Sequence, residues 1–310
     1  MAKPRRIAVD FAVYCLLRTI AAVLQALPIS VGYVVARRLA QFIALIDRRH
    51  RMIAEENLRH AFGDALTPAQ RTRMTRQVYE HFCKVVVEIL HLPRRFRMST
   101  IRRFIKFSNM REGLRTTLRG DRATILVGGH LGNWEVSSVM LAAADLRSFA
   151  VARALDNPFL QQFVLRFRQY TGQSILSKNE DYAKICEALA TKQIVVMLAD
   201  QAAGPRGYFV DFFGRPASTQ RSIALLAFEY DAPVIVSFSH RVGDGFQYEV
   251  GAVDLFDPRD YQDDSNGAHR FTADFTAALE RAIRKAPEQY FWLHNRWKHA
   301  PPARKSRAAA

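Results

Sequence analysis

The sequence is poor in the residues and motifs that mark metal, nucleotide and redox proteins. Its 310 residues include only three cysteines, without the CxxC spacing that would suggest a zinc site. We expect them to be buried thiols in a reducing compartment. The sequence also has no HExxH, P-loop, GxGxxG or GxSxG motif. These absences remove most of the support for a metal, a nucleotide cofactor or a serine hydrolase, so we expect no bound cofactor.

Acidic residues are scarce relative to basic ones. There are 29 Asp and Glu residues against 45 Lys and Arg residues, which gives a formal net charge of +16 at pH 7. An excess of this size predicts a polyanionic partner, such as nucleic acid, an anionic membrane surface, a phosphorylated substrate or an acidic carrier protein. Because the sequence has no helix-turn-helix, zinc finger or RNP motif, we do not expect it to bind nucleic acid. A non-enzymatic basic binding protein for membranes or nucleic acid is kept as an alternative.

Residues 1–47 are apolar and basic, unlike the rest of the chain. Their cleanest apolar stretch, 19–36, is about long enough to cross a hydrocarbon core, but Pro28 lies in its middle. We therefore predict two membrane-associating helices broken at Pro28, with their basic flanks on the cytoplasmic side. The pattern leaves open whether these helices span the bilayer or lie in its interface. A pair of ordinary core helices is the alternative.

Residues 48–300 are predicted to form one α/β domain with a helical first part, followed by a disordered basic tail at 301–310. The capping box that begins at Thr67 predicts a helix that ends near Leu90, before Pro93. Further on, short apolar strands alternate with helices, which indicates a mainly parallel central sheet flanked by helices. The predicted strands are 123–129, 148–152, 193–199, 233–238 and 247–253, and the predicted helices are 133–143, 158–170, 181–191, 219–230 and 270–286.

The most informative segment follows the first predicted strand and contains His130 and Glu135. A histidine can take up and return a proton near neutral pH, because its ordinary pKa is about 6.5. If Glu135 accepts one ring N–H, the other ring nitrogen can accept a proton from a substrate hydroxyl. A histidine and a glutamate five residues apart also occur often by chance. Sites in parallel sheets form at the carboxyl ends of strands, so His130 and the Asp200-Gln201 pair are predicted to lie at the same edge.

Several segments, taken in order, resemble one family. His130 to Glu135 looks like an H-x4-D/E motif, and Asp200-Gln201 looks like the DQ block that follows it. The other matching segments are Glu56-Asn57-Leu58 with Ala61-Phe62, Arg153 with Asn157-Pro158, Phe209 to Thr219, and Tyr290 to Lys298. Together they are similar to the bacterial lipid A biosynthesis acyltransferases, the late or secondary acyltransferases of the lysophospholipid acyltransferase superfamily.

The resemblance implies transfer of a fatty acyl chain from acyl carrier protein or acyl coenzyme A to a hydroxyl of a membrane glycolipid, with a lipid A precursor as the first expectation. It places the enzyme at the inner membrane with its active site on the cytoplasmic face. The alternative is a glycolipid or lysophospholipid acyltransferase that has another acceptor and uses acyl coenzyme A.

The resemblance also assigns roles to residues. His130 is expected to be the general base and Glu135 the carboxylate that orients it. Backbone N–H groups near Gly132 and Asn133 are candidate donors to the oxyanion that forms on the thioester carbon. The candidate substrate-binding residues are Asn133, Arg153, Asp200 and Gln201. No metal is expected.

Overall fold

Helices and strands alternate along most of the chain in the computed structural model, which describes residues 6–96, 99–152, 154–170, 173–177, 181–299 and 301. The helices are α1 (Ile7–Ala26), α2 (Ile29–Ile46), α3 (Arg48–Phe62), α4 (Pro68–Arg95), α5 (Arg111–Arg119), α6 (Trp134–Ala143), α7 (Pro158–Tyr170), α8 (Tyr182–Ala190), α9 (Ser222–Glu229) and α10 (Gly267–Lys285). The strands are β1 (Ile105–Ser108), β2 (Thr124–Gly128), β3 (Ser148–Ala152), β4 (Gln173–Ser177), β5 (Ile194–Leu198), β6 (Tyr208–Phe212), β7 (Arg215–Thr219), β8 (Val234–Arg241) and β9 (Tyr248–Phe256).

A seven-stranded sheet in the order β1-β9-β8-β2-β5-β3-β4 forms the centre of the domain. Its neighbouring strands are parallel except for β8 and β9, which are antiparallel. The central strands are almost wholly apolar because helices cover both faces of the sheet, and Ile125, Val127 and Val195 are fully buried. The predicted mainly parallel sheet flanked by helices is confirmed.

The five predicted strands correspond to β2, β3, β5, β8 and β9, but the sequence patterns missed four others and α5. Strand β1 has only four residues, and β4 (Gln-Ser-Ile-Leu-Ser) has three polar residues among its five and lacks the alternation of a half-buried strand. Strands β6 and β7 form a separate antiparallel hairpin, and β7 contains Pro216, a residue that is rare inside strands because it cannot donate a backbone hydrogen bond. The prediction that a helix ends before Pro93 is wrong, because α4 continues to Arg95. A proline this close to a helix end interrupts only the last turn.

The two predicted amino-terminal helices are confirmed as α1 and α2, which meet at Leu27 and Pro28. By length and composition each could cross a membrane, with 20 and 18 residues and mean hydropathies of 2.0 and 1.5. Cys15 lies exposed on α1, so the expectation of a buried thiol is wrong there. The large apolar side chains exposed on these helices are Ile7, Val9, Phe11, Val13, Leu16, Leu17, Ile20, Val23, Val31, Val34, Val35, Leu39, Phe42, Leu45 and Ile46.

One face of α2 packs closely on α4 because it carries small residues. Ala36, Ala40 and Ala44 are buried there, and a Cβ on Gly32 would come within 2.7 Å of Cγ1 of Val87. The opposite face of α2 carries the exposed apolar side chains. Helix α2 is thus firmly joined to the α/β domain through one face and leaves the other uncovered.

The last described segment closes the core beside the sheet edge that carries His130. Trp292 is buried, and its carbonyl oxygen accepts a hydrogen bond of 2.7 Å from the Asn57 side chain on α3. The buried Arg296 donates to the Thr219 hydroxyl on β7 at 2.6 Å. The aromatic and basic residues of this segment therefore join α3, the hairpin and the sheet. The predicted tail lies outside the described residues except for Pro301.

Candidate active site

His130 lies in a tight turn between β2 and α6, and the turn is held on both sides. Its carbonyl oxygen accepts a hydrogen bond of 3.0 Å from the N–H of Phe291. Gly132 has a φ of +58°, and a Cβ at this position would overlap the carbonyl oxygen of Ser239. Only glycine fits a backbone that combines this conformation with so close an approach. The position of His130 is therefore fixed by the local backbone.

Asp200 is the carboxylate that contacts His130. Strands β2 and β5 are parallel neighbours, so the residues that follow them meet at one sheet edge. Oδ1 of Asp200 lies 2.9 Å from Nδ1 of His130, and Oδ2 accepts the backbone N–H of His130 at 2.8 Å. An ionised Asp200 accepts the proton on Nδ1 and leaves Nε2 as the basic nitrogen. This is the arrangement that a histidine general base requires.

The pKa values of this pair move apart. Burial by itself lowers the pKa of His130, but attraction and hydrogen bonding to Asp200 outweigh burial and raise the pKa above its ordinary value. Burial raises the pKa of Asp200, yet the interactions with His130 hold the pKa of this carboxyl below its ordinary value. Asp200 is therefore ionised at neutral pH, although its side chain is only 2% exposed. Each residue stabilises the charged form of the other.

Glu135 does not occupy the position predicted for it. Its carboxylate pairs with Arg168 on α7, with 2.5 Å between Oε1 and Nη2, and it also accepts the indole N–H of Trp134 at 3.1 Å. The first turn of α6 thus directs this carboxylate to a neighbouring helix, whereas Asp200 reaches Nδ1 from the adjacent strand. The expectation that Glu135 orients His130 is corrected, because Asp200 holds the ring nitrogen instead.

Gly132 and Asn133 do not provide the predicted free donors. The N–H of Gly132 donates to the carbonyl of Gln289 at 2.9 Å, and the N–H of Asn133 donates to the carbonyl of Ser239 at 3.0 Å. The Asn133 side chain is fully buried and donates to Oε2 of Glu88 at 2.9 Å. Asn133 therefore belongs to a buried network, and its predicted contact with substrate is corrected.

That network is centred on the fully buried Glu88 of α4. Besides Asn133, its carboxylate accepts hydrogen bonds from Nε of Arg241 at 2.5 Å and from the Tyr33 hydroxyl at 2.9 Å. Arg241 also donates to Nδ1 of His81, whose Nε2 lies 3.1 Å from the carbonyl oxygen of Gly132. The buried charge is compensated by an arginine, as burial of a carboxylate requires. The network joins α2, α4 and β8 to the turn that carries His130.

Two further residues, Gln201 and Arg153, are predicted to contact substrate. Gln201 is half-buried directly after Asp200, so its predicted contact with substrate stays a prediction. Arg153 lies outside the described residues.

The segment beyond Gln201 is held by His294, whose Nε2 accepts the N–H of Ala202 at 3.0 Å. Burial lowers the pKa of His294 to about 4, so at neutral pH its imidazole is uncharged and can accept this hydrogen bond.

A cavity of about 690 Å³ lies beside the turn, between α1, α4, α6 and α7. Trp134 lines it, and the Trp134 ring is 5.1 Å from the ring of His130. The cavity suits a ligand with a long apolar part and a polar end. Sequence reasoning missed the wall that α7 provides, although Phe159 and Phe163 have the i, i+4 spacing of one helix face. The lining includes Arg18, Ile89, Leu90, Leu155, Phe159, Phe163, Arg166 and the Glu135–Arg168 pair.

The described part of the chain contains no group of three or more His, Cys, Asp or Glu side chains that could hold a metal ion.

Comparison with known proteins identifies one family. The family model for bacterial lipid A biosynthesis acyltransferases matches residues 2–299. The lipid A biosynthesis lauroyltransferase of Escherichia coli is 27% identical over 198 residues, which are 63% of this chain and 63% of that protein. The phosphatidylinositol mannoside acyltransferase of Mycobacterium tuberculosis is 24% identical over 53% of each chain. The lipid A biosynthesis acyltransferase of Haemophilus influenzae is 26% identical over 83% of this chain and 80% of that protein.

The matches to the first two relatives cover less than two thirds of their lengths, at 63% and 53%. Among solved structures, the 1-acyl-sn-glycerophosphate (LPA) acyltransferase of Thermotoga maritima aligns over 84% of this chain and 98% of that chain. The alignment has 13% sequence identity and a TM-score of 0.40.

Proposed function

Because the chain belongs to the bacterial lipid A biosynthesis acyltransferase family, we propose that it transfers a fatty acyl chain from a thioester to a hydroxyl of a membrane glycolipid. The observation that carries the proposal is the His130–Asp200 pair beside an apolar cavity of about 690 Å³. A buried carboxylate that holds one imidazole nitrogen leaves the other nitrogen ready to accept a proton.

His130 acts as the general base of the reaction. Its Nε2 takes the proton of the acceptor hydroxyl while the hydroxyl oxygen attacks the thioester carbonyl carbon. The tetrahedral intermediate then expels the thiolate as the carbon–sulfur bond breaks, and the protonated imidazole returns its proton to the sulfur. Asp200 is a positioning residue, because it holds the tautomer and stabilises the imidazolium through Nδ1. No protein side chain serves as the nucleophile.

The developing oxyanion needs fixed donors near the attacked carbon. The N–H groups of Gly132 and Asn133 are occupied, so we assign this role to the first turn of α6. Asn133 is the N-cap residue of α6, and among the described residues its side chain makes no capping hydrogen bond to the N–H groups of that turn. The N–H groups of Trp134 and Glu135 in this turn also benefit from the positive end of the helix dipole.

The acyl chain and the acceptor share the cavity between α1 and α7. Its apolar lining suits a hydrocarbon chain, while Arg18 and Arg166 provide cations for a phosphorylated headgroup. We propose an acylated lipid A precursor as the acceptor. The family assignment and the names of two relatives support this choice. Another glycolipid is the second candidate, because one relative is named as a phosphatidylinositol mannoside acyltransferase.

The donor is acyl carrier protein, with acyl coenzyme A as the alternative. A net charge of +16 favours an acidic carrier protein, since complementary charge raises the association rate. We place the protein at the inner membrane, with α1 and α2 associated with the bilayer and the site on the cytoplasmic face. The exposed apolar faces of both helices support membrane association.

The decisive experiment compares the wild type with His130→Gln, using labelled acyl carrier protein, labelled acyl coenzyme A and a lipid A precursor. We expect transfer to fall roughly 10²- to 10⁴-fold in the variant, the range for loss of a general base. His269→Gln, which changes an exposed histidine on α10, is the matched control and should retain activity. Undiminished transfer by His130→Gln would refute the mechanism, and an unchanged lipid A mass profile in a deletion strain would remove the proposed acceptor.

A further inference from the structure

A second cavity, of about 1000 Å³, lies between α2, α3 and the first half of α4, away from His130. Four arginines and two glutamates line it. We call it the arginine groove, and its charged residues are Arg37, Arg51, Arg73, Arg76, Glu55 and Glu80.

The two glutamates are already engaged within the protein. Glu80 pairs with Arg37 at 3.1 Å and with Lys84 at 2.8 Å, and Glu55 accepts a hydrogen bond from the Thr72 hydroxyl at 3.3 Å. The arginine groove therefore retains an excess of positive charge after its internal pairs are formed.

Arg73 and Arg76 carry this excess. Both are exposed, and they lie three residues apart on one face of α4. Over the described ranges, no carboxylate forms an ion pair with either of them. A guanidinium group presents a planar set of donors that matches a phosphate in geometry and charge. The chemistry of the arginine groove therefore favours a phosphate monoester or diester.

The arginine groove adjoins the uncovered apolar face of α2. Leu45 lines the groove and is 74% exposed, and Leu39 and Phe42 continue the same exposed face. A ligand held here thus meets cations on one side and an apolar surface on the other. This is the environment that a bilayer provides at the level of its lipid phosphates, where basic residues are attracted to anionic lipids.

We propose that the arginine groove binds the headgroup phosphate of an anionic bilayer phospholipid, a site distinct from the cavity beside His130, which we call the acceptor cavity. The inference rests on the membrane association in the proposed function. Glu80 lines the arginine groove and Ile89 lines the acceptor cavity, and nine residues of α4 span roughly 14 Å. A lipid in the groove would therefore hold α4 at a defined height relative to the bilayer surface. The acceptor cavity would then open to the same bilayer.

The test is binding of the full-length protein to phosphatidylcholine vesicles with and without phosphatidylglycerol. We compare Arg73→Gln/Arg76→Gln with Arg115→Gln/Arg119→Gln, which removes the same charge from an exposed face of α5. The groove variant should bind anionic vesicles about 30-fold more weakly, because each basic residue near the surface contributes ~1 kcal/mol to binding. Its affinity for neutral vesicles should be unchanged. The α5 variant should lose much less affinity for the anionic vesicles.

Equal losses in the two variants would overturn the proposal, because the attraction would then come from net charge. No loss in the groove variant would also overturn it, because Arg73 and Arg76 would then not contact the lipid. A second arm measures binding of acyl carrier protein to the same variants. If the groove variant loses carrier protein and keeps its affinity for anionic vesicles, the groove docks a protein and the proposal is wrong. Vesicle binding needs no turnover, so this inference can fail while acyl transfer by the wild type persists, and the reverse also holds.

Discussion

Asp200 accepts two hydrogen bonds from His130, one from the backbone N–H at 2.8 Å and one from Nδ1 at 2.9 Å. The first bond fixes the turn against the end of β5, and the second fixes the ring and its tautomer. One buried carboxylate thus sets both the position and the protonation pattern of the imidazole. This relationship leads directly to a test of which acidic residue serves the proposed base.

Asp200→Asn should lower the turnover rate by roughly 10³- to 10⁴-fold, because the new amide can donate to Nδ1 and shift the ring proton to Nε2. The acidic limb of the pH–rate profile should also move to lower pH. Asp200 raises the pKa of His130, so without this charge burial lowers that pKa and the neutral base persists at lower pH. The measurement is the initial rate of acyl transfer across a pH series.

Glu135→Gln is the matched control for Asp200→Asn. It removes the negative charge that pairs with Arg168 but leaves the contact between Asp200 and Nδ1 of His130 in place. We expect it to reduce the rate without moving the acidic limb. A shift of the limb in Glu135→Gln, together with an unchanged limb in Asp200→Asn, would reinstate Glu135 as the orienting residue.

Glu88→Gln should destabilise the protein by about 3 kcal/mol or more, because it leaves Arg241 buried without its counter-charge. The loss should appear as a lower melting temperature in detergent. Glu56→Gln tests the specificity of this effect: Glu56 and its partner Arg59 are 50% and 58% exposed, and an ion pair between exposed side chains contributes little to stability, so the melting temperature should change little. Equal melting temperatures for the two variants would contradict the central role of Glu88.

Gly132→Ala should abolish acyl transfer and lower the expression of folded protein, since a Cβ overlaps the carbonyl oxygen of Ser239. Gly214→Ala is the matched control. Gly214 has a similar left-handed conformation, with a φ of +73°, but no atom lies within 4 Å of its added Cβ in the described structure. It should cost only about 1 kcal/mol in stability and retain activity. Comparable losses in both variants would mean that position 132 requires glycine because of its backbone conformation, and not because of the close approach to the carbonyl oxygen of Ser239.

Acidification should destabilise the fold through the buried His240 and the half-buried His294. Burial lowers the pKa values of His240 and His294 to about 4, from an ordinary 6.5. Their contribution to stability is present above pH 6.5 and is lost as the pH falls toward 4, because the unfolded chain then binds more protons. His294→Gln should flatten the decline in melting temperature over that interval. An unchanged slope would show that His294 is not held neutral.

Much of the fold followed from local patterns. Alternating apolar strands and helices predicted the parallel core, the capping box at Thr67 predicted the start of α4, and Pro28 predicted the break between α1 and α2. The sequence did not reveal β1, β4 or the hairpin, because short or polar strands derive their stability from neighbours distant in the chain. It also did not reveal the wall that α7 contributes to the cavity beside His130.

The sequence by itself determined that His130 follows a buried strand in a glycine-rich turn, and that Asp200 follows another strand at the same edge. Only the tertiary structure decided which carboxylate serves His130. Glu135 is five residues away in sequence, but the first turn of α6 directs it to Arg168. Asp200 is 70 residues away, yet the parallel pairing of β2 and β5 brings it within hydrogen-bonding distance. The physical reason is that strand order, which arises from packing of the whole domain, sets which side chains meet.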